Sequence, residues 1–221
     1  MTLAEKIEES YSILQYAFDN WGNSLAVAFS GGKDSLVVLH LIRYLCDGEV
    51  TIPVFNIDTS VKFPEVLRFR DHISALWNLN LIILSNKEII GKIKIGVDKQ
   101  ACCQSLKIQP LKQAIEAHGI KGLITAIRWD EHEIRTCETH ISTRENPAHT
   151  RIHPILHFTE TDVWDYIHAF HLPYCELYDQ GYRSLSCIPC TEKGDPEMRE
   201  RQGRSPEKEK IMEDLRLLGY F

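Results

Sequence analysis

Residues 30–35 read Ser30-Gly31-Gly32-Lys33-Asp34-Ser35 and follow directly on the apolar run Ser24 to Phe29. Residue types in this order suit the binding of a phosphate chain. Two glycines let the backbone turn tightly and approach a ligand closely. Free N–H groups at the start of a following helix face that ligand, and the helix dipole favours an anion there. Lys33 adds a positive charge, Ser30 and Ser35 add hydroxyl donors, and Asp34 caps the helix or orients the loop. The spacing is not that of a Walker loop, Gly-x-x-x-x-Gly-Lys-Ser/Thr. An ordinary tight turn would account for two glycines, but not for the six residues together.

Cysteines form a second set. Met1 to Ser10 carries Glu5, Glu8 and Glu9 and lacks the basic start and apolar run of a signal peptide. No apolar stretch approaches the roughly 20 residues that span a bilayer. The chain therefore reads as cytoplasmic, where a disulfide framework is not expected. Of its 7 cysteines, Cys102 and Cys103 are adjacent, and Cys187 and Cys190 form a Cys-x-x-Cys. Four thiolates could hold an iron–sulfur cluster or a tetrahedral zinc ion. Cys46, Cys137 and Cys175 have no partner spacing and read as ordinary thiols. His132, His140, His149, His153 and His157 read first as loop histidines near an anion site, with a metal site as the alternative.

Elements must position these groups. With 221 residues, 43% of them hydrophobic, the chain can bury the core of one globular domain. The net charge of −6 argues against a broad nucleic-acid-coating surface. Leu3, Ile7, Tyr11, Leu14 and Phe18 repeat at helical spacing over residues 3–20. Apolar runs at Ser24 to Phe29, Ile52 to Ile57, Leu79 to Leu84 and Leu123 to Ile127 read as buried strands. Helical patterns occupy Leu36 to Leu45, Glu65 to Trp77 and Leu106 to His118. This alternation predicts an α/β fold: an open, mostly parallel twisted sheet flanked by helices, Rossmann-like. Residues 131–150 are polar and read as a mobile loop over the site. Thr159 to Phe170 reads as a helix with Thr159 and Asp162 as its capping box. The charged segment Thr191 to Arg204, with Gly194, Pro196 and Gly203, reads as extended, and Pro206 to Leu218 as a last helix. The division expected is a nucleotide-binding domain over 1–190 and a carboxyl-terminal tail over 191–221 that closes the site.

The order Ser-Gly-Gly-x-Asp-Ser after a strand resembles the pyrophosphate loop of the ATP pyrophosphatase superfamily, whose fold is adenine nucleotide alpha hydrolase-like. Further blocks are similar to the small, catalytic subunit of bacterial sulfate adenylyltransferase. They are FSGGKDSLVVLHL from Phe29, the block Asp58-Thr59, Lys62-Phe63, Glu65 and Phe69-Arg70-Asp71, and the block Arg128, Asp130, Glu131 and Arg135. His153-Pro154 through Trp164 to Ile167, Glu200 to Arg204, and the end Gly219-Tyr220-Phe221 add to it. The chain is also similar to the wider phosphoadenosine phosphosulfate reductase family. The first resemblance implies ATP cleavage at the α–β bond and AMP transfer to a small oxyanion such as sulfate, with magnesium and a driving GTPase subunit. Lys33, Asp34, Arg128, Asp130 and Glu131 would then be catalytic. Ser30 to Ser35 with Asp58 and Thr59 would hold the nucleotide, and Arg135, Arg201 and Arg204 the anion. A homo-oligomer is expected, and no membrane association.

The cysteines depart from that subunit. Cys102, Cys103, Cys187 and Cys190, in CCQSLKIQPL and SLSCIPCT, resemble the [4Fe–4S] ligand set of assimilatory adenylylsulfate reductases. Those enzymes also carry a nucleophilic cysteine in a carboxyl-terminal Glu-Cys-Gly-Leu-His-like motif, and the residues after Arg204 include no cysteine. The expectation is therefore a sulfate adenylyltransferase. The alternatives are a sulfonucleotide reductase with a borrowed nucleophile, or an ATP pyrophosphatase serving sulfur insertion into tRNA or DNA, which would bring a sulfur-transfer or nucleic-acid partner.

Overall fold

Each apolar run read as a strand forms one. The computed structural model describes residues 1–195 and 197–221. Pro196, named above among the breakers of the tail, lies outside the described residues. Strands β1 (Leu25–Ala28), β2 (Val54–Ile57), β3 (Leu81–Leu84) and β4 (Gly122–Ile124) run parallel, in the spatial order β3-β2-β1-β4. Alternate residues of these strands enter different cores. Leu25, Val27 and Val54 pack with helices α1 (Leu3–Trp21), α2 (Lys33–Leu45), α3 (Pro64–Leu76) and a later helix, Glu160–Ala169. Ala26, Phe55 and Leu123 pack on the other face with Leu111, Ala114 and Ile115. Both faces of β1, β2 and β4 are covered, which is why those strands read as continuous apolar runs, whereas β3 lies at the sheet edge and leaves Ile83 48% exposed.

The helix expected from Leu106 begins earlier. Helix α4 (Lys99–Cys103) starts on Asp98, whose side chain accepts from the Ala101 N–H at 2.9 Å. It passes through a π-helical turn, Gln104–Ile108, into α5 (Gln109–Ala117). Pro110 has no N–H to give to the preceding turn, and the wide turn falls just ahead of it.

Residues 131–150 are not the loop that polarity suggested. Glu133–Cys137 forms a 3₁₀ turn, and β5 (Ile141–Glu145) and β6 (Ala148–Ile152) form an antiparallel hairpin. Strand β6 joins β4 in parallel, so the sheet has six strands in the order β3-β2-β1-β4-β6-β5. Strand β5 is an edge with no fully buried residue, so nothing demands an apolar run there. The usable signal was Asn146-Pro147 between β-branched segments.

Helix α6 (Glu160–Ala169) has the capping box predicted at Thr159 and Asp162. The last predicted helix is two, α7 (Pro206–Lys210) and α8 (Met212–Leu217), separated at Ile211. Met212, Leu215 and Phe221 bury against Cys103, Ile108 and Ile127, which fixes residues 206–221 to the sheet's carboxyl edge.

Candidate active site

Strand β1 delivers the chain into the glycine loop, and α2 leaves it. Gly31 has φ +84°, and a Cβ there would lie 2.8 Å from Val66 Cγ1 and 3.2 Å from the Val66 carbonyl oxygen. Glycine is thus required by both conformation and space. The hydroxyls brace the turn. Ser30 Oγ and Ser35 Oγ are 3.1 Å apart, and Ser35 Oγ donates to the Gly32 carbonyl at 2.9 Å. The Lys33 N–H donates to the Tyr178 hydroxyl at 2.9 Å.

A cavity of about 250 Å³ opens between this loop, the carboxyl ends of β1, β2 and β4, and the tail. Ligands of open α/β sheets gather at such strand ends. Phe29, Phe55, Ile108, Leu111 and Ile127 give it an apolar wall. Lys62, Lys107, Arg135, Arg151, Arg201 and Arg204 give it a cationic one, against only Asp34 and Glu131. Arg135 pairs with Glu131, and Arg201 with Glu209 at 2.7 Å. The other four cations pair with no carboxylate among the described residues. Lys62 Nζ reaches the Ser30 carbonyl at 3.3 Å, and Lys107 Nζ the Ser186 and Tyr220 hydroxyls at 3.2 Å. Arg151 donates to His149 Nε2 and the Gly219 carbonyl, and Arg204 to Ser184 Oγ and the Leu185 carbonyl. Burial, with Lys107 close by, pushes Lys62 down to about 8. Burial and the neighbouring Arg201 push Arg135 down to about 9, and burial and Arg144 do the same to Arg151. Cations crowded in this way favour an anion among them.

Beside the cavity lies a largely buried ion network, in which Asp34 also lines the cavity and Asp130 keeps 35% of its side chain exposed. Lys33 and Arg128 are 1% and 0% exposed. Arg128 Nε donates to Asp34 Oδ1 at 2.6 Å, and its terminal nitrogens pair with Asp130 and Glu200. Lys33 pairs with Glu200 and lies 3.4 Å from Asp34. Burial opposes these charges, but Asp34 and Glu200 outweigh it and hold both cations above their ordinary pKa range. Burial likewise opposes the Asp34 carboxylate, and Lys33 and Arg128 hold it below its ordinary range. Burial raises Asp130 despite its Arg128 partner.

Cys102, Cys103, Cys187 and Cys190 are free thiols around a second cavity of about 20 Å³. Lys107 lines both cavities. Thr59 Oγ1 is 3.2 Å from Cys187 Sγ. Burial would raise the Cys187 thiol, but Lys107 and the Thr59 contact bring it down to about 7. Burial would also raise Tyr220, and Lys107 and Lys208 bring it to about 7.

Residues 24–193 match the family model described as the phosphoadenosine phosphosulfate reductase domain. The chain belongs to this family. It is an enzyme, and its relatives align along most of its length. The adenosine 5′-phosphosulfate reductase of Pseudomonas aeruginosa is 30% identical, over 92% of this chain and 79% of that one. That of Anoxybacillus flavithermus is 28% identical, over 87% and 83%. Among solved structures, the phosphoadenylyl-sulfate reductase of Candida auris superposes with a TM-score of 0.68 at 22% identity, covering 81% of this chain and 88% of that one. Candida glabrata FMN adenylyltransferase gives 0.71 at 21%, over 92% and 72%. At these identities the structural likeness speaks for the fold, which is the expected one.

These findings overturn the expected sulfate adenylyltransferase. ATP, magnesium and the GTPase partner were implied by that reading and lose their support with it. The physical reason is that a Ser-Gly-Gly-Lys-Asp-Ser loop demands only a nucleotide phosphate, which a substrate of either enzyme carries. Of the predicted site residues, Ser30, Gly32, Asp34, Ser35, Glu131, Arg135, Arg201 and Arg204 line the main cavity. Gly31 shapes the loop without lining it. Lys33, Arg128 and Asp130 lie in the ion network, and Thr59 lines the thiol cavity. Asp58 Oδ1 accepts from the Ser60 N–H at 2.8 Å in a local turn. Lys107 and Arg151 were not singled out by sequence, and Lys62 and Glu200 stood only within resembling blocks, without a role. Lys107 stands one helical turn beyond Cys103, a spacing that could have found it. No helix is long and apolar enough to cross a membrane among the described residues.

Proposed function

We propose that this enzyme binds adenosine 5′-phosphosulfate or a close sulfonucleotide and supports thiol-dependent release of sulfite from it. The observation that carries the proposal is the set of four cations without carboxylate partners, Lys62, Lys107, Arg151 and Arg204, around the cavity beneath the glycine loop. A nucleoside phosphosulfate brings a nucleobase suited to the apolar wall and two anionic groups suited to the cationic one. The relatives named as adenosine 5′-phosphosulfate reductases agree with this substrate class. In this reading residues 191–221 close the site through Arg201 and Arg204.

The thiol cavity fits a [4Fe–4S] cluster held by Cys102, Cys103, Cys187 and Cys190. Four free thiols share one cavity, Thr59 supports one of them, and Lys107 and Lys208 offset the negative charge that thiolate ligation brings. Such a cluster, when bound, supplies a fixed local charge beside the anion site. Lys107 orients toward both cavities and would hold the sulfonate end of the substrate near the thiols.

The chemistry needs a sulfur nucleophile, and residues 191–221 contain no cysteine. The reading assigns the attack to a thiolate from outside residues 191–221, with a dithiol as the electron donor. The thiolate sulfur bonds to the sulfonate sulfur, and the S–O bond to the phosphate breaks, so AMP leaves with the electron pair. A second thiolate then attacks the resulting S-sulfonate and expels sulfite, leaving a disulfide. Two thiols are oxidised and one phosphosulfate is reduced to sulfite. The Arg and Lys side chains stabilise charge as it gathers on the departing phosphate.

Anaerobically purified protein should show the visible absorption of an iron–sulfur cluster, with matching iron and sulfide. It should bind adenosine 5′-phosphosulfate by calorimetry and release sulfite from it when given a dithiol. Absence of binding would refute the pocket assignment, and binding without sulfite release from any dithiol would refute the reductase chemistry.

A further inference from the structure

Outside both cavities, one ring nitrogen each of His140 and His157 and one carboxylate oxygen of Glu9 lie within 4.8 Å of one another. The three residues come from separate parts of the chain. Glu9 is on α1, His140 stands just before β5, and His157 follows β6. All three are half-buried.

Backbone carbonyls fix how each imidazole is protonated. His140 Nδ1 is 2.9 Å from the His153 carbonyl oxygen, and His157 Nε2 is 3.0 Å from that of Lys6. A carbonyl only accepts, so each of these nitrogens carries the ring proton. The opposite nitrogens, His140 Nε2 and His157 Nδ1, keep their lone pairs. His140 Nε2 lies 3.5 Å from Glu9 Oε1. His157 Nδ1 is buried and has no hydrogen-bond partner. Metal-ligating histidines are held in this way, with one nitrogen donating to a backbone or carboxylate oxygen and the other left for the metal.

We infer that Glu9, His140 and His157 form a binding site for a divalent first-row cation, with zinc the best match. Two imidazoles and one carboxylate are a common zinc set. Magnesium and calcium prefer all-oxygen shells. Ligand atoms about 2.1 Å from one tetrahedral ion stand about 3.4 Å from each other, and the Glu9–His140 separation of 3.5 Å already meets this. A His140–Glu9 ion pair without metal would explain that one distance. It would leave the His157 lone pair buried and unmatched, which an ion removes. Three protein ligands leave a fourth position for water.

The site would act as a clasp. His140 packs edge-on against Trp129 and His157, with ring centroids 5.4 and 5.1 Å away. Trp129 follows Arg128 directly and donates its indole N–H to the Glu138 carbonyl at 2.9 Å. A bound ion would thus fasten α1 to the segment that carries Glu131 and Arg135 into the main cavity. None of its three ligands lines that cavity, so the site stands apart from the proposed substrate, and only the iron at the thiol site used in the test is taken from the proposed function.

The test uses the full-length protein with its thiol site loaded with iron, dialysed against zinc chloride and analysed for zinc and iron. The expected result is one zinc retained per chain with no loss of iron, together with a rise in melting temperature on zinc addition. Glu9→Gln and His140→Asn should each weaken zinc retention at least tenfold and abolish the rise. No zinc retained by the unaltered protein, zinc taken up only as iron is lost, or retention equal in the variants would overturn the site. The first two outcomes are read on the unaltered chain, so misfolding of a variant cannot obscure them.

Discussion

Lys33 of the glycine loop and Glu200 of the tail form a buried ion pair across 167 residues of sequence. The second oxygen of Glu200 pairs with Arg128, so one carboxylate ties the loop, the end of the sheet and the tail together. The expectation gave Lys33 to the ligand. In this structure its charge is committed to the protein, and the cations that face the cavity come from other elements.

Replacing Glu200 with Ala should therefore cost about 3–5 kcal/mol of stability, because it leaves two buried cations short of a partner. Glu200→Gln should cost less, since the amide oxygen still accepts one hydrogen bond. Denaturant unfolding of the three proteins measures this. A loss below about 1 kcal/mol for Glu200→Ala would show that Glu200 does not hold the two buried cations as described.

Gly31→Ala tests the loop. The new methyl would meet Val66 Cγ1 at 2.8 Å and requires a residue with a side chain to hold φ +84°. The strain is of the order of 1–3 kcal/mol, and the loop can relieve it by moving. Sulfonucleotide affinity should fall at least tenfold in calorimetry while the helical circular dichroism stays unchanged. Unaltered affinity would mean that the loop does not shape the site.

The fold was largely legible because its central strands are buried on both faces and leave apolar runs, as at Leu25 to Ala28 and Val54 to Ile57. The β5–β6 hairpin was not, because an edge strand has no such obligation and its buried residues include His149 and Arg151. The cysteine set was legible as two close pairs, Cys102-Cys103 and Cys187-x-x-Cys190, far apart in the chain. Their shared cavity depends on how α4 meets residues 187–190, and spacing alone does not encode that. Charge type was legible in the site, but the partner of each charge was not. Arg128 and Arg204 look alike in sequence, yet one is locked against three carboxylates and the other against none among the described residues.

Lys107→Met removes the cation shared by the two cavities while keeping an unbranched side chain of similar length. A hydrogen bond to a charged group contributes about 1.5–3 kcal/mol, so substrate affinity should fall roughly 10- to 150-fold. Burial would then act on Cys187 and Tyr220 without its main opposition, and the Tyr220 phenol should ionise above about 7. Calorimetry and ultraviolet titration of tyrosinate check the two effects separately. An unchanged affinity would remove Lys107 from the anion site.

His153 sets a pH window for stability. It is fully buried, with Nδ1 2.7 Å from Thr125 Oγ1 and Nε2 3.7 Å from the Glu138 carboxylate. Burial pushes its pKa down to about 4, against the partial opposition of Glu138. In the unfolded chain it returns to about 6.5. The unfolded state therefore binds the extra proton first, and protonation favours unfolding. The contribution is intact above about pH 6.5 and is lost as pH falls toward 4, by about 3 kcal/mol over the full window. His149, also pushed down to about 4 by burial, adds a slope of the same sign. Unfolding free energies measured between pH 7 and 5 should fall more steeply in the native protein than in His153→Gln, by about one proton. Equal slopes would show that His153 takes up its proton without leaving its buried place.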